Sequence, residues 1–273
     1  MKTIKSCLVL IRTIGLKTFV IKLIKKLLRL RQYIPMEDFD EIEKYFLNKS
    51  GLEIGGPSAF FNDKGFMPIY SKTKNIDGIN YSTSTIWTGA INEAEGYKID
   101  GKRFGKQYIL DAVDLKPLEN NTYDFVLSCN NIEHIANPIK AVEQWLSILK
   151  EGGLLVVVAP RKESNFDHNR EIVKFEHLIS DYEKKMYEDD LTHLEEILKY
   201  HDLAMDLPAG TIDQFKKRGL NNFENRCLHH HVFDLNVLKE IYDYFNLSII
   251  KSIQINSDYV ILGQKRGRTT IAT

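Results

Sequence analysis

Two polar stretches hold most of the residues that could do acid–base chemistry. They are Asn165-Phe-Asp-His-Asn-Arg and Asn225-Arg-Cys-Leu-His-His-His-Val-Phe-Asp. Histidine titrates near neutral pH and is the default base for a hydroxyl acceptor, which ranks His168, then His231, then His229 as base or acceptor-positioning groups. Asp167 is the carboxylate to orient one of them, and Arg170 and Arg226 are forks for an anionic group such as a phosphate. If residues 229–231 are extended, His229 and His231 project to one side and His230 to the other, so at most two share a site. His134 reads as a helix-start residue. His177, His193 and His201, in charged helical stretches, read as surface groups, and Tyr187-Glu-Asp-Asp reads as a solvated helix start where carboxylates favour the dipole. A divalent ion on His168, His229, His231 and Asp167 lacks any tight ligand spacing, and no CxxC pair exists, so no metal is expected.

The elements that must position these groups are organised around Leu52-Glu-Ile-Gly-Gly-Pro-Ser, an apolar strand ending in Glu53 and then in Gly55 and Gly56. Glycines at such a junction let backbone N–H groups approach a ligand closely. A helix over 38–47 precedes the first strand at 51–54. Strands follow at 75–81, 107–110 and 124–128; then come a helix over 139–150, stopped by Gly152 and Gly153, and a fifth strand at 154–159 that is apolar on both faces, as a covered parallel strand is. The chain then leaves this alternation for residues 161–234, with helices expected at 172–186 and 191–200. It closes with a helix at 235–245 and strands near 248–253 and 259–263. Repeated strand–crossover–strand units predict an α/β fold, Rossmann-like and doubly wound, whose ligands gather outside the carboxyl ends of the strands.

In order, Leu-Glu-Ile-Gly-Gly, Asp111-Ala-Val-Asp-Leu, Tyr123-Asp-Phe-Val-Leu-Ser, Ile132-Glu-His-Ile-Ala-Asn-Pro and Leu149-Lys-Glu-Gly-Gly-Leu-Leu-Val-Val-Val-Ala-Pro resemble the motifs of class I S-adenosylmethionine-dependent methyltransferases of the type 11-like kind. The resemblance covers residues 51–160. It implies a mostly parallel seven-stranded sheet with a helical insertion after the fifth strand, and S-adenosyl-L-methionine as cofactor. The loop from Glu53 through Gly55 and Gly56 would hold the methionyl part, and Asn80 stands where the family usually has an acid for the ribose hydroxyls, with Asp77 as the fallback. Asp111 would bond the adenine amine with Ala112 beside it, and Cys129 and Asn130 would line the pocket. Two departures are visible: Gly-Gly-Pro-Ser replaces a Gly-x-Gly-x-Gly loop, and an amide replaces the carboxylate at the second strand end. The two polar stretches also resemble those of a bacterial methyltransferase subgroup associated with cell-surface glycan biosynthesis, which implies O-methylation of a sugar or glycan-type acceptor. A lipid or other small-molecule acceptor, or an inactive membrane-associated protein that keeps the fold, is the alternative. A dehydrogenase would require Gly-x-Gly-x-x-Gly leading into a helix, which is missing.

The 273 residues carry 37 basic and 37 acidic side chains. Residues 1–31 hold nine of the cations and no acid, leaving 28 basic against 37 acidic groups in the rest. An acidic body argues against a nucleic-acid partner, whose binding depends on neutralising phosphates. Cations break every apolar run in the tail before it reaches a spanning length of about 20 residues, and its short apolar run lacks a small-residue cleavage site. Residues 1–36 therefore read as a basic amphipathic helix at a membrane surface, ahead of a methyltransferase domain over 37–273 whose lid is 161–234. Three widely spaced cysteines fit a reducing compartment, giving a cytoplasmic expectation, peripheral to the inner face of the membrane.

Overall fold

The computed structural model describes residues 34–267. The amphipathic N-terminal segment expected over 1–36 lies almost wholly outside the described residues. Chain order is α1 (Phe39–Glu43), β1 (Ser50–Ile54), β2 (Asn75–Asn80), two small hairpins of β3 (Ser84–Thr85) with β4 (Gly89–Ala90) and β5 (Tyr97–Ile99) with β6 (Lys102–Gly105), then β7 (Gln107–Ile109) and β8 (Tyr123–Cys129). After them come α2 (Pro138–Ile148), β9 (Leu149–Pro160), α3 (Phe175–Lys184), α4 (Leu194–Tyr200), α5 (Ile212–Leu220), α6 (Asn222–Asn225), α7 (Leu235–Tyr244), β10 (Ser248–Gln254) and β11 (Asp258–Gln264).

Seven strands form one sheet in the order β10-β11-β9-β8-β1-β2-β7. The contacts of β1 with β2 and β8, of β8 with β9 and of β2 with β7 are parallel; β11 alone runs antiparallel to both its neighbours. The central strands are apolar on both faces because both are covered. Leu155, Val157 and Ala159 of β9 face a layer with Trp145, Ile148, Leu238 and Ile241, while Val156 and Val158 face one with Phe46, Phe60, Phe61 and Met67. Each such side chain contributes about 1.5–3 kcal/mol on burial, so the strand ends that carry polar groups sit on a rigid base.

Helix boundaries are shorter than the apolar periodicity suggests. α2 starts at Asn137, whose Oδ1 accepts from Lys140 N at 3.0 Å, with Pro138 in the first turn. α3 ends at Lys185, which has φ of 55°. In the segment between β9 and α7, Leu194, Ile197, Phe215 and Leu228 form a small apolar core of their own. No helix among the described residues is long and apolar enough to cross a membrane.

Candidate functional site

A cavity of about 320 Å³ opens at the carboxyl ends of β1, β2, β7 and β8. Gly55, Asn80, Asp111, Ala112, Cys129 and Asn130 all line it, so six of the eight residues singled out for the cofactor converge. Asn80 is buried at the end of β2, with Nδ2 3.5 Å from the carbonyl of Gly56. Asp77 lies elsewhere, its carboxylate accepting from Lys106 N at 2.7 Å and from Tyr123 OH at 2.8 Å.

Glu53 and Gly56 do not line the cavity. The Glu53 carboxylate accepts from Ser58 N at 3.1 Å and from the hydroxyls of Tyr70 and Tyr97, both at 2.7 Å. It therefore orders the loop from behind. Burial raises its pKa to about 7 against the opposing effect of these donors. A Cβ on Gly56 would lie 2.2 Å from the Glu53 carboxyl carbon and 2.3 Å from the Tyr97 hydroxyl, so that glycine is required by the packing around the acid. Gly55, at φ of 77°, turns the chain at the cavity wall, where Asn131 also stands. The buried Asn131 Nδ2 has no hydrogen-bond partner, an unmet donor beside the cavity.

The segment between β9 and α7 covers one side. Arg226 lines the cavity, donating to Asp111 Oδ2 at 3.0 Å and lying 3.3 Å from Glu188 Oε1. Its guanidinium carbon is 5.3 Å from the Tyr81 ring and 5.4 Å from that of Tyr187, whose hydroxyl also donates to Asp111 at 2.7 Å. Arg226 is thus engaged by protein carboxylates rather than offered to an anion. The Tyr187-Glu-Asp-Asp stretch is no solvated helix start either. Glu188 is buried, accepts from Ala136 N at 2.9 Å and lines the cavity.

The three consecutive histidines point three ways. Residues 226–234 form no strand, Arg226 having φ of 52°, so strand alternation does not apply. His229 Nδ1 meets Asp167 Oδ2 at 2.5 Å; His230 Nε2 meets Asn222 Nδ2 at 3.0 Å; His231 Nε2 meets Asp181 Oδ2 at 3.0 Å. His229 and His231 therefore do not share a site. His168 is not at the cavity: its Nδ1 sits 3.1 Å from the carbonyl of Asn165, and its Nε2 faces Asp202. Arg170 is 2% exposed and binds Asp167, Glu196 and the carbonyls of His229 and His230, a structural clamp that does not line the strand-end cavity. The four groups weighed as a metal set, His168, His229, His231 and Asp167, do not converge.

The histidine that does line the cavity is His134. It ends a 3₁₀ turn over Ile132–His134, separated from β8 by Asn130 and Asn131. Its Nδ1 faces the carbonyl of Leu228 at 3.1 Å, and its ring meets those of His229 at 4.5 Å and Trp87 at 5.0 Å, centroid to centroid. Burial, with His229 nearby, holds its pKa well below 6.5. His229 goes the other way: burial opposes its charge, but the Asp167 carboxylate outweighs it and the pKa is raised. Asp167 is correspondingly lowered to about 2, the cationic neighbours His229 and Arg170 overriding its burial. His134 lies five residues beyond the end of β8, within the Ile132-Glu-His-Ile-Ala-Asn-Pro motif at a carboxyl end of the sheet, a signal that could have found it. His177, His193 and His201 are not simple surface groups: the first two meet each other at 3.1 Å, and His201 stacks on Phe166 at 4.3 Å.

Residues 70–157 match the family model described as "Methyltransferase domain". An uncharacterized protein of Methanocaldococcus jannaschii is 28% identical over 141 residues, 52% of this chain and 55% of that protein, so the chain spans about half the length of the curated relative it matches. Among solved structures, an S-adenosylmethionine-dependent methyltransferase from Thermotoga maritima aligns over 91% of this chain and 97% of its own at 18% identity with a TM-score of 0.45. One from Aquifex aeolicus aligns over 89% and 97% at 12% identity and 0.41. Residues 70–157 are thus similar to a methyltransferase domain, and they lie within a seven-stranded, mostly parallel sheet of the doubly wound kind.

Proposed function

We propose that the chain transfers a methyl group from S-adenosylmethionine to an oxygen of a small or glycan-type acceptor, a sugar hydroxyl first among them. When bound, the cofactor supplies an electrophilic methyl on a sulfonium, which the acceptor oxygen takes in line as the carbon–sulfur bond breaks. Asp111 and Ala112 would hold the adenine, Asn80 the ribose, and Gly55 with the unmet Asn131 amide the methionyl group. All of these line the one cavity.

The observation that carries the acceptor side is His134. A carbonyl only accepts, so with Nδ1 donating to Leu228 O the proton sits on Nδ1 and the Nε2 lone pair is free. A ring held uncharged at neutral pH can take the proton of an acceptor hydroxyl. Behind it, Asp167 fixes His229 and favours its charged form, so the pair holds the neighbouring His134 ring in place while that charge keeps it unprotonated. The base therefore moves from the ranked set of His168, His231 and His229 to their neighbour. Trp87, 53% exposed beside His134, offers a ring face on which a sugar could stack. Residues 161–234 serve as the lid through Glu188 and Arg226. The nine cations of residues 1–31 would bring the enzyme to an anionic membrane face where lipid-linked glycans are built, at the cytoplasmic side.

Incubation with methyl-labelled cofactor and fractionated nucleotide sugars, glycolipids and lipids tests the reading. Label in an alkali-stable sugar ether is expected; label confined to lipid acyl groups or amines overturns the acceptor, and no cofactor binding at micromolar concentration in calorimetry overturns the activity. For the membrane arm, deletion of residues 1–31 should abolish co-sedimentation with phosphatidylserine vesicles; unchanged sedimentation removes that part.

A further inference from the structure

We propose that His177, Asp181, His193 and His231 form a binding site for one divalent transition-metal ion, zinc by ligand type, which ties together the segment folded between β9 and α7. His177 and Asp181 stand one turn apart on the same face of α3. His193 comes just before α4, and His231 lies on the stretch leading into α7. One potential ligand atom from each of these four residues lies within 4.8 Å of all the others.

The individual separations fit a common centre. His177 Nε2 is 3.1 Å from His193 Nε2 and 3.3 Å from Asp181 Oδ2, which is 3.0 Å from His231 Nε2. Ligands placed tetrahedrally around zinc at about 2.0–2.2 Å are themselves separated by about 3.3–3.6 Å. Two imidazole nitrogens facing each other at 3.1 Å can share only one proton, whereas both lone pairs are satisfied by a cation between them. Three imidazoles and a carboxylate, all ligand types that zinc accepts, make a full four-ligand set. Outer groups are also present: Glu196 Oε2 stands 3.7 Å from His193 Nδ1, and Glu196 is held by Arg170 Nε at 3.0 Å.

Access is provided as well. A second cavity of about 440 Å³ is lined by His177, His193 and His231. The His177 side chain is 42% exposed while that of His231 is 1% exposed, so an ion can enter from the His177 side and end in a mostly buried position. None of the four residues lines the cavity at the strand ends. The role is therefore to hold three separate pieces of chain in register, independently of the methyl-transfer reading.

The test uses the full chain purified without chelator, then stripped by dialysis against EDTA and reloaded with zinc or cobalt. One metal ion per chain by mass spectrometry is expected, together with the visible bands of four-coordinate cobalt and a melting temperature that falls on stripping and recovers on reloading. His177→Ala and His193→Ala, both at the accessible side, should reduce the stoichiometry to a trace while circular dichroism shows a folded chain; His168→Ala should leave it at one. Trace metal in the zinc-reloaded wild-type chain overturns the site, and so does a stoichiometry of one retained by the His177→Ala/His193→Ala double variant.

Discussion

Arg226 and Asp111 form an ion pair at 3.0 Å across 115 residues of sequence, joining the segment before α7 to the strand end where the adenine amine is expected. The pair is only partly exposed, with side chains 12% and 19% accessible, and aromatic rings surround the guanidinium. In the proposed cofactor arrangement the pair would latch the segment over the adenine end. Cation–ring contacts in such a partly desolvated place are worth about 0.5–2 kcal/mol each. Arg226→Ala should therefore release the cofactor roughly tenfold faster, about 1.4 kcal/mol, as followed by stopped-flow displacement. An unchanged release rate would show that the segment does not cover the cofactor.

The buried carboxylates predict a pH dependence. Burial raises Glu53 and Glu133 from 4.5 to about 7 each. For a group whose folded pKa lies above its unfolded value, the stability advantage is fully present below about 4.5 and is lost as pH rises through about 7. For Glu53 alone the loss is on the order of 3 kcal/mol. Urea unfolding of the cofactor-free chain should accordingly show lower stability at pH 7.5 than at pH 5, with the difference reduced in Glu53→Gln. A cationic cofactor favours the ionised acids, so its affinity should strengthen as pH rises from 6 to 8. Titration calorimetry showing the opposite trend would remove Glu53 and Glu133 from the cofactor's electrostatic surroundings.

The sheet and the cavity wall were legible because both follow from local pattern. Runs such as Leu154–Ala159 are apolar on both faces, and Gly55, Asn80 and Asp111 follow strand ends by position alone. The chemistry of the insertion was not legible, because its partners are distant in sequence. His229 meets Asp167 62 residues away, and His231 meets Asp181 50 residues away. An alternation argument about 229–231 fails where the backbone has no ladder to impose it. Glu53 shows the same limit: its place in the motif suggested a ligand contact, but Tyr70 and Tyr97, 17 and 44 residues downstream, take its carboxylate.

If His134 is the base, its loss should act on turnover rather than on cofactor binding. His134→Ala should lower kcat by about 10²–10³-fold, within the range for a positioned proton acceptor, with cofactor Kd changed less than threefold. His134→Gln, which keeps a donor for Leu228 but has no basic nitrogen, should be nearly as slow. Equal loss of kcat in His168→Ala would return the assignment to His168.

Trp145 connects the core to the adenine loop. It is fully buried in α2, and its Nε1 donates to the carbonyl of Ala112 at 3.0 Å. Trp145→Phe keeps most of the apolar contact but leaves that carbonyl without its donor and opens space in the core cluster that also holds Val113 and Leu115. The combined cost should be about 1–3 kcal/mol in denaturant unfolding. Because Ala112 lines the cavity next to Asp111, the same change should weaken cofactor binding about three- to tenfold while leaving the pH dependence of turnover in place, since no group of the His134 set is touched. A stability loss without any change in cofactor Kd would mean that the Ala112 backbone is held by its neighbours and that Trp145 serves the core alone.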